Sequence, residues 1–337
     1  MVVSEGISLG WFFLDAFGMH RFAKKEMEIM LPYCCLKRSN LIALFALAFV
    51  LSAVTGCGTL SNGRGWGQDA IYPVELKKIP RAALNALTDP MTFVPAAGAL
   101  VFGLSKWDKK VSHWATTHNP IFGSTTNAAN DAIFLEIPLY TEVFVTALAT
   151  PSGEDSKDWM VSKLKGMAVE GAAELATVGV TALLKDTTDR TRPNGNGTKS
   201  FPSGEASAAF SSVALSNRNL DSVKLPEEVK IPLKVVNILL GSGVAWARVE
   251  AQAHFPSDVL AGAAIGNFFS ATVHDSFMNL PQDRGYGFSI FPVKRGAMAG
   301  LYFTLNPSAV RQSSFVYRSS IANDITDKRG GKVPSHF

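Results

Sequence analysis

Arg248-Val249-Glu250-Ala251-Gln252-Ala253-His254-Phe255-Pro256-Ser257-Asp258 is the stretch on which the reading of this 337-residue chain turns. Pro256 suits the first position of a helix, so His254 stands just before that helix and Asp258 in its first turn. From there Asp258 can reach back to one imidazole nitrogen. Such a contact fixes the tautomer, stabilises the imidazolium and leaves the other nitrogen free to attack. Upstream lie Lys185-x6-Arg192-Pro193 and, after the glycine-rich loop Asn194–Thr198, Pro202-Ser203-Gly204-Glu205. Proline followed by small residues reads as a helix start. The free amides there, at the positive end of the dipole, make a ready anion site.

Taken singly these pieces are bland. Pro-Ser-Gly is a helix cap, an isolated lysine is a solvated charge, and a lone histidine is more often structural. Together they supply what phosphoryl transfer requires. A phosphoryl group in transfer spreads negative charge over its equatorial oxygens, so catalysis is mainly positioning and electrostatic stabilisation. Arginine grips two phosphate oxygens with a planar fork, and lysine acts as a point charge.

The three blocks, in this order and spacing, resemble the tripartite signature of the type 2 phosphatidic acid phosphatase and vanadium haloperoxidase superfamily. The resemblance spans roughly residues 180 to 265, about a quarter of the chain. It implies an all-α helical bundle and a phosphatase that works without a metal or other cofactor through a phosphohistidine intermediate. It further implies His254 as nucleophile, Asp258 as its orienting partner, and Lys185, Arg192, Ser203, Gly204 and Arg248 as phosphate ligands. The substrate class is a phosphomonoester or pyrophosphate, either a small molecule or a lipid phosphate of the envelope.

This chain departs from the pattern at position 205. The family reads Pro-Ser-Gly-His, and that histidine protonates the leaving oxygen; here Glu205 stands instead. A carboxyl can be a general acid if its pKa rises from about 4.3 toward the working pH, whereas neighbouring Lys and Arg push the other way. Glu205 is therefore a working acid suited to good leaving groups such as pyrophosphates, a recogniser of a substrate cation, or the mark of a slow or retired enzyme. Ala247 replaces the serine that usually precedes the third-block arginine, a loss of one hydroxyl contact. Two rival functions follow: an envelope lipoprotein that binds an anionic head group without turnover, and a vanadate-dependent haloperoxidase. His113 and His118 fit surface or packing roles better than a metal site, because no acidic or cysteine partner stands at ligand spacing. Asp186, Asp189 and Arg190 fall in the same loop as Arg192 and are placed to tune the site.

Lys37-Arg38, the apolar run 41–54 and Thr55-Gly56-Cys57 form a second signal. A basic start, a short apolar run and small residues define an export segment. The Val54-Thr55-Gly56-Cys57 ending resembles a bacterial lipoprotein box, which implies a lipidated Cys57 and a periplasm-facing, membrane-anchored protein, with the outer membrane mildly favoured. Residues 1–57 are assigned to this segment, with 1–26 attributed to a misassigned start. Lys and Arg total 32 against 28 Asp and Glu, so no nucleic-acid footprint appears. Cysteine usage demands no disulfide.

Residues 58–80 read as a tether, 81–280 as the helical phosphatase domain, and 281–337 as a β-hairpin with a polar tail. Helices are expected near 81–89, 91–105, 130–149, 158–185, 203–216, 231–247 and 256–274. Glu136 and Glu142 interrupt one apolar segment, and Lys163, Lys165, Glu170 and Glu174 another. A membrane span needs about 20 largely apolar residues, so these interruptions predict a soluble bundle held to the membrane by lipid.

Overall fold

The computed structural model describes residues 56–70 and 76–280, together with the backbone of 286–293 and 296–303. The export segment as far as residue 55, residues 71–75 of the expected tether and the tail beyond 303 lie outside the described residues. Among the described residues eight helices follow one another: α1 (Lys78–Leu87), α2 (Pro90–Leu104), α3 (Trp107–His118), α4 (Thr125–Ala149), α5 (Ser156–Thr188), α6 (Gly204–Ser222), α7 (Glu227–Glu250) and α8 (Pro256–Phe277). Strands β1 (Tyr286–Val293) and β2 (Gly296–Phe303) pair antiparallel, Val293 opposite Gly296. The chain is thus all-α with a C-terminal hairpin, as expected.

Local chemistry sets the helix ends. The side chains of Asp89, Ser124, Asp155 and Ser203 accept hydrogen bonds from first-turn amides of α2, α4, α5 and α6, satisfying donors that no carbonyl can reach. Asn119 and Asp189 close α3 and α5 in the left-handed conformation. Helix α3 has no counterpart among the expected helices. Its apolar positions are few, and its core-facing residues include Asp108 and Ser112, so no apolar stripe betrays it.

The bundle is built inside out. Glu170, Lys163, Thr177, Thr181, Ser207, Ser211, Asn219, Asn237, Asn267 and Ser270 are buried. Leu100, Leu104, Phe144, Leu164, Leu175, Leu183, Val236 and Leu239 are exposed. Helices α4, α5 and α7 are each long and apolar enough to cross a membrane, and α1 with α2, bent by 57°, forms a broken fourth candidate. An apolar surface of this extent is not sustained in water, whereas hydrocarbon requires it and tolerates polar groups only in the interior. The expectation of a soluble bundle is therefore corrected. The charges that interrupt the apolar runs project inward: Lys163 donates to the carbonyls of Ala147 (2.5 Å) and Thr150 (2.6 Å) at the end of α4, and Ser212 Oγ donates to Glu174 (3.2 Å).

Helices α6 and α8 cross closely at the centre. A Cβ on Gly262 would stand 2.5 Å from the Ser203 carbonyl oxygen, and one on Gly266 would fall on that of Ser207. Small residues at four-residue spacing let two backbones approach in this way. Hydroxyls fill the seam, with Thr181 donating to Ser207 (3.0 Å) and Ser211 bonded to Ser270.

Residues 58–70 are no tether. Trp66 is fully buried, its ring seated where Gly166 leaves room, and its amide donates to Pro151 O (2.7 Å). Gly58 pairs with Gly153 through two backbone hydrogen bonds of 2.9 and 2.8 Å. The glycines that suggest flexibility allow this close docking instead.

Candidate active site

The three sequence blocks meet where α6 and α8 begin and α7 ends. Helix α5 brings Lys185 on its last turn, and the loop 189–203 carries Arg192. The Ser203 amide donates to the Asp258 carbonyl (3.0 Å), which ties the second block to the third.

His254 is fully buried. Its Nδ1 lies 2.6 Å from the Ser200 carbonyl oxygen. A carbonyl only accepts, so the proton sits on Nδ1 and Nε2 is the reactive nitrogen. The contact expected from Asp258 is thus made by Ser200. Asp258 acts one step behind: its carboxylate accepts from Ser200 Oγ (2.6 Å), the Phe255 amide (2.8 Å) and Arg190 Nη1 (2.5 Å). It holds the loop whose carbonyl holds the imidazole.

Arg190 is more central than its loop position suggests. Its fork spans two buried carboxylates, reaching Asp258 with one nitrogen and Asp108 Oδ2 (2.6 Å) with the other, and it stacks on Phe255, 4.4 Å from the ring centroid. Asp108 in turn accepts from the amide (2.9 Å) and hydroxyl (2.6 Å) of Ser257. Asp108 lies on α3, outside the three blocks, and Ser200 is an ordinary loop serine. Neither carries a sequence signal for its role.

Glu205, on the first turn of α6, faces the cations. Its Oε1 is 2.9 Å from Arg248 Nη2 and its Oε2 is 3.3 Å from His254 Nε2, with 35% of the side chain exposed. Burial pushes its carboxyl up, but Arg248 and then His254 outweigh that, holding it well below the usual carboxylate range. Ionised, it has no proton to donate. Arg248 Nε and His254 Nε2 are both buried without a hydrogen-bond partner among the described residues.

Two other residues expected at the site, Lys185 and Ser203, are placed as follows. Lys185 lies beside Gly204, whose Cβ would meet its Cε at 3.5 Å. It donates to Lys199 O (3.1 Å). Ser203 Oγ caps α6 through the Ala206 amide (3.3 Å). Lys185, Arg248, the N-terminus of α6 and the oriented imidazole of His254 thus lie close together.

The bundle brings the buried His254, Glu205 and Arg248 together at the N-terminal end of α6. Residues 169–281, which include every motif residue from Lys185 to Asp258, match the model of the PAP2 superfamily. That match supports a phosphatase-type function. No curated protein matches the chain. One similar solved structure is the crystal structure of the first transmembrane PAP2 type phosphatidylglycerolphosphate phosphatase from Bacillus subtilis. It shares 18% identity over 58% of this chain and 90% of that one, with a TM-score of 0.29. A score that low carries no weight for fold or function.

Proposed function

We propose that this chain is a membrane-embedded phosphatase that cleaves a phosphate ester or anhydride through a phosphohistidine at His254. The observation that carries the reading is the line Ser200 O–His254–Glu205–Arg248, in which Nε2 and a guanidinium share one anion. A phosphate entering there takes the place of the Glu205 carboxylate, gives the orphaned Arg248 Nε an acceptor and presents its phosphorus to the lone pair of His254 Nε2. Arg248, Arg192, Lys185 and the Gly204 amide at the first turn of α6 then hold its oxygens, the Ser203 amide being engaged by the Asp258 carbonyl. His254 Nε2 attacks phosphorus, Asp258 keeps the Ser200 carbonyl in position behind it, and the leaving oxygen departs. Glu205, ionised, serves the second step by taking the proton of the water that hydrolyses the phosphohistidine.

Helices α4, α5 and α7 are each long and apolar enough to cross a membrane, which supports a phosphorylated lipid of the envelope as the substrate. Cys57 is exposed, as lipidation requires. Cleavage before Cys57 would remove the Gly56 carbonyl, which accepts from the Ser152 amide (3.1 Å) and Trp159 Nε1 (3.1 Å). The mass of the native N-terminus decides between lipidated Cys57 and a retained leader.

The test is phosphate release by the full chain in detergent, with EDTA present, from a lipid monophosphate and a lipid diphosphate. Turnover that His254→Ala abolishes, with an acid-labile phosphoenzyme in the parent, supports the proposal. A second reading, favoured by Glu205 occupying the anion position, is a head-group-binding protein without turnover. Phosphate binding in the absence of any release from either lipid would establish that reading and overturn the first. Bromide oxidation in vanadate-supplemented buffer would establish the haloperoxidase instead.

A further inference from the structure

Helix α3 connects two segments that suit hydrocarbon and is itself unlike either. Leu100, Val101 and Leu104 leave apolar side chains exposed at the end of α2, and only Ser105 and Lys106 separate Leu104 from α3. Beyond His118 the chain soon enters α4, which is apolar enough to span a membrane. The twelve residues of α3 make a helix about 18 Å long, bracketed by these two segments.

The surface of α3 divides into three rows at helical spacing. Asp108, Ser112 and Ala115 are buried and face the bundle. Trp107, Trp114 and His118 form the second row, with Trp107 59% and Trp114 47% exposed. This row continues the apolar surface of the neighbouring helices. The Trp107 ring lies 6.4 Å from that of Phe102 on α2, and the Trp114 ring 6.5 Å from that of Trp246 on α7. Lys106, Lys110 and His113 form the third row, with Lys109 beside it, and all four are exposed. The three lysine side chains make no hydrogen bond or ion pair among the described residues. No carboxylate shares their face, because Asp108, the one acidic residue of α3, is turned inward to Ser257 and Arg190.

Tryptophan concentrates at the boundary between hydrocarbon and head groups. Lysine carries its charge outward from that level on an apolar stem. A helix with the two on adjacent rows lies in the plane of the interface. Exposed lysines alone would be an ordinary solvated face; the two bare tryptophans beside them set α3 apart. We propose that α3 is an interfacial helix that binds the head groups of anionic phospholipids, with Trp107 and Trp114 seated at the hydrocarbon boundary and Lys106, Lys109 and Lys110 paired with the phosphates. A zwitterionic head group brings its own ammonium, so a row of lysines with no carboxylate beside it selects net negative charge. This inference rests on the membrane placement of the helices and not on the phosphatase reading, and none of the residues it uses belongs to the phosphate cluster.

The test reconstitutes the full chain in phosphatidylcholine vesicles that carry a trace of spin-labelled phosphatidylglycerol or spin-labelled phosphatidylcholine. Electron paramagnetic resonance then reads the share of each lipid immobilised on the protein. The parent should favour the anionic lipid about fivefold, and high salt should erode that preference. Lys106→Gln/Lys109→Gln/Lys110→Gln should bring the two lipids within about twofold of each other. Its melting temperature in detergent should match the parent's, since the three side chains hold nothing in the fold. A second arm needs no lysine variant. Lipids brominated near the head-group end of the acyl chain should quench the parent's tryptophan fluorescence more than lipids brominated near the methyl end, and Trp107→Phe/Trp114→Phe should shrink that difference. Equal association of both lipids with the parent, an unchanged preference in the triple variant, or a quenching profile that the tryptophan variant leaves unaltered would each overturn the proposal. Neither arm depends on turnover, so failure of the phosphatase reading and failure of the interfacial helix are separate results.

Discussion

Replacing Glu205 by glutamine keeps the side-chain shape and removes one negative charge from the position a phosphate must take. In the parent, Glu205 competes for Arg248 across 2.9 Å and for His254 across 3.3 Å. Two unit charges about 4 Å apart interact with about 4 kcal/mol at an effective dielectric near 20. The Glu205 side chain is 35% exposed, so solvent reduces that figure to roughly 1–2 kcal/mol. Glu205→Gln should therefore bind orthophosphate about tenfold more tightly at neutral pH, read by calorimetry or by protection against thermal unfolding. The pH dependence follows from the depressed carboxyl. Its pairing stabilises the fold above the unfolded value of about 4.3 and is lost as pH falls through the lower folded value. Parent and variant should accordingly differ most near neutrality and converge in acid. An orthophosphate affinity that is unchanged or weaker in Glu205→Gln would refute the idea that the carboxylate occupies the anion position.

Other perturbations test the scaffold behind the site. Arg190→Ala leaves Asp108 and Asp258 buried without their shared cation and should cost about 3 kcal/mol, the low end for a broken buried pair given the partial exposure of Arg190; chemical denaturation in detergent reads it, and a loss below about 0.5 kcal/mol would contradict the network. Gly266→Ala drives a methyl into the Ser207 carbonyl and should destabilise the fold by about 1–3 kcal/mol; an unchanged melting temperature would show that α6 and α8 can separate freely. Asp258→Asn should lower turnover far less than His254→Ala, because Asp258 positions Ser200 and does not touch the imidazole; equal losses would argue for direct catalysis by Asp258.

The parts of this molecule that are legible in its sequence are those set by local rules. Pro256 and Ser203 mark helix starts in the chain as they do in space, and the long apolar stretches are helices. What stays hidden depends on direction. Glu170 and Lys163 look like interruptions of a membrane span when residues are counted along the chain, yet they face the bundle interior and leave Leu164 and Leu175 outside. Helix α3 presents Asp108 and Ser112 to the core, so the usual apolar stripe is missing. Asp108 and Arg190 are separated by 82 residues, and no spacing rule connects them.

The site shows the same limit in sharper form. Residue identities at 185, 192, 203, 248, 254 and 258 suggest a phosphate cluster, because each type has one strong use in phosphoryl transfer. Glu205 does not have one use, and composition alone leaves it as acid, recogniser or lesion. Its meaning comes from Arg248 and His254, which flank the carboxylate and keep it ionised. An ionised carboxylate at this point excludes proton donation as its first-step role and leaves two others: competing with the incoming anion, and accepting a proton once that anion is bound to His254. With no proton to give, Glu205 leaves the first step to the cations, Arg248 foremost, and its own part to the water that follows.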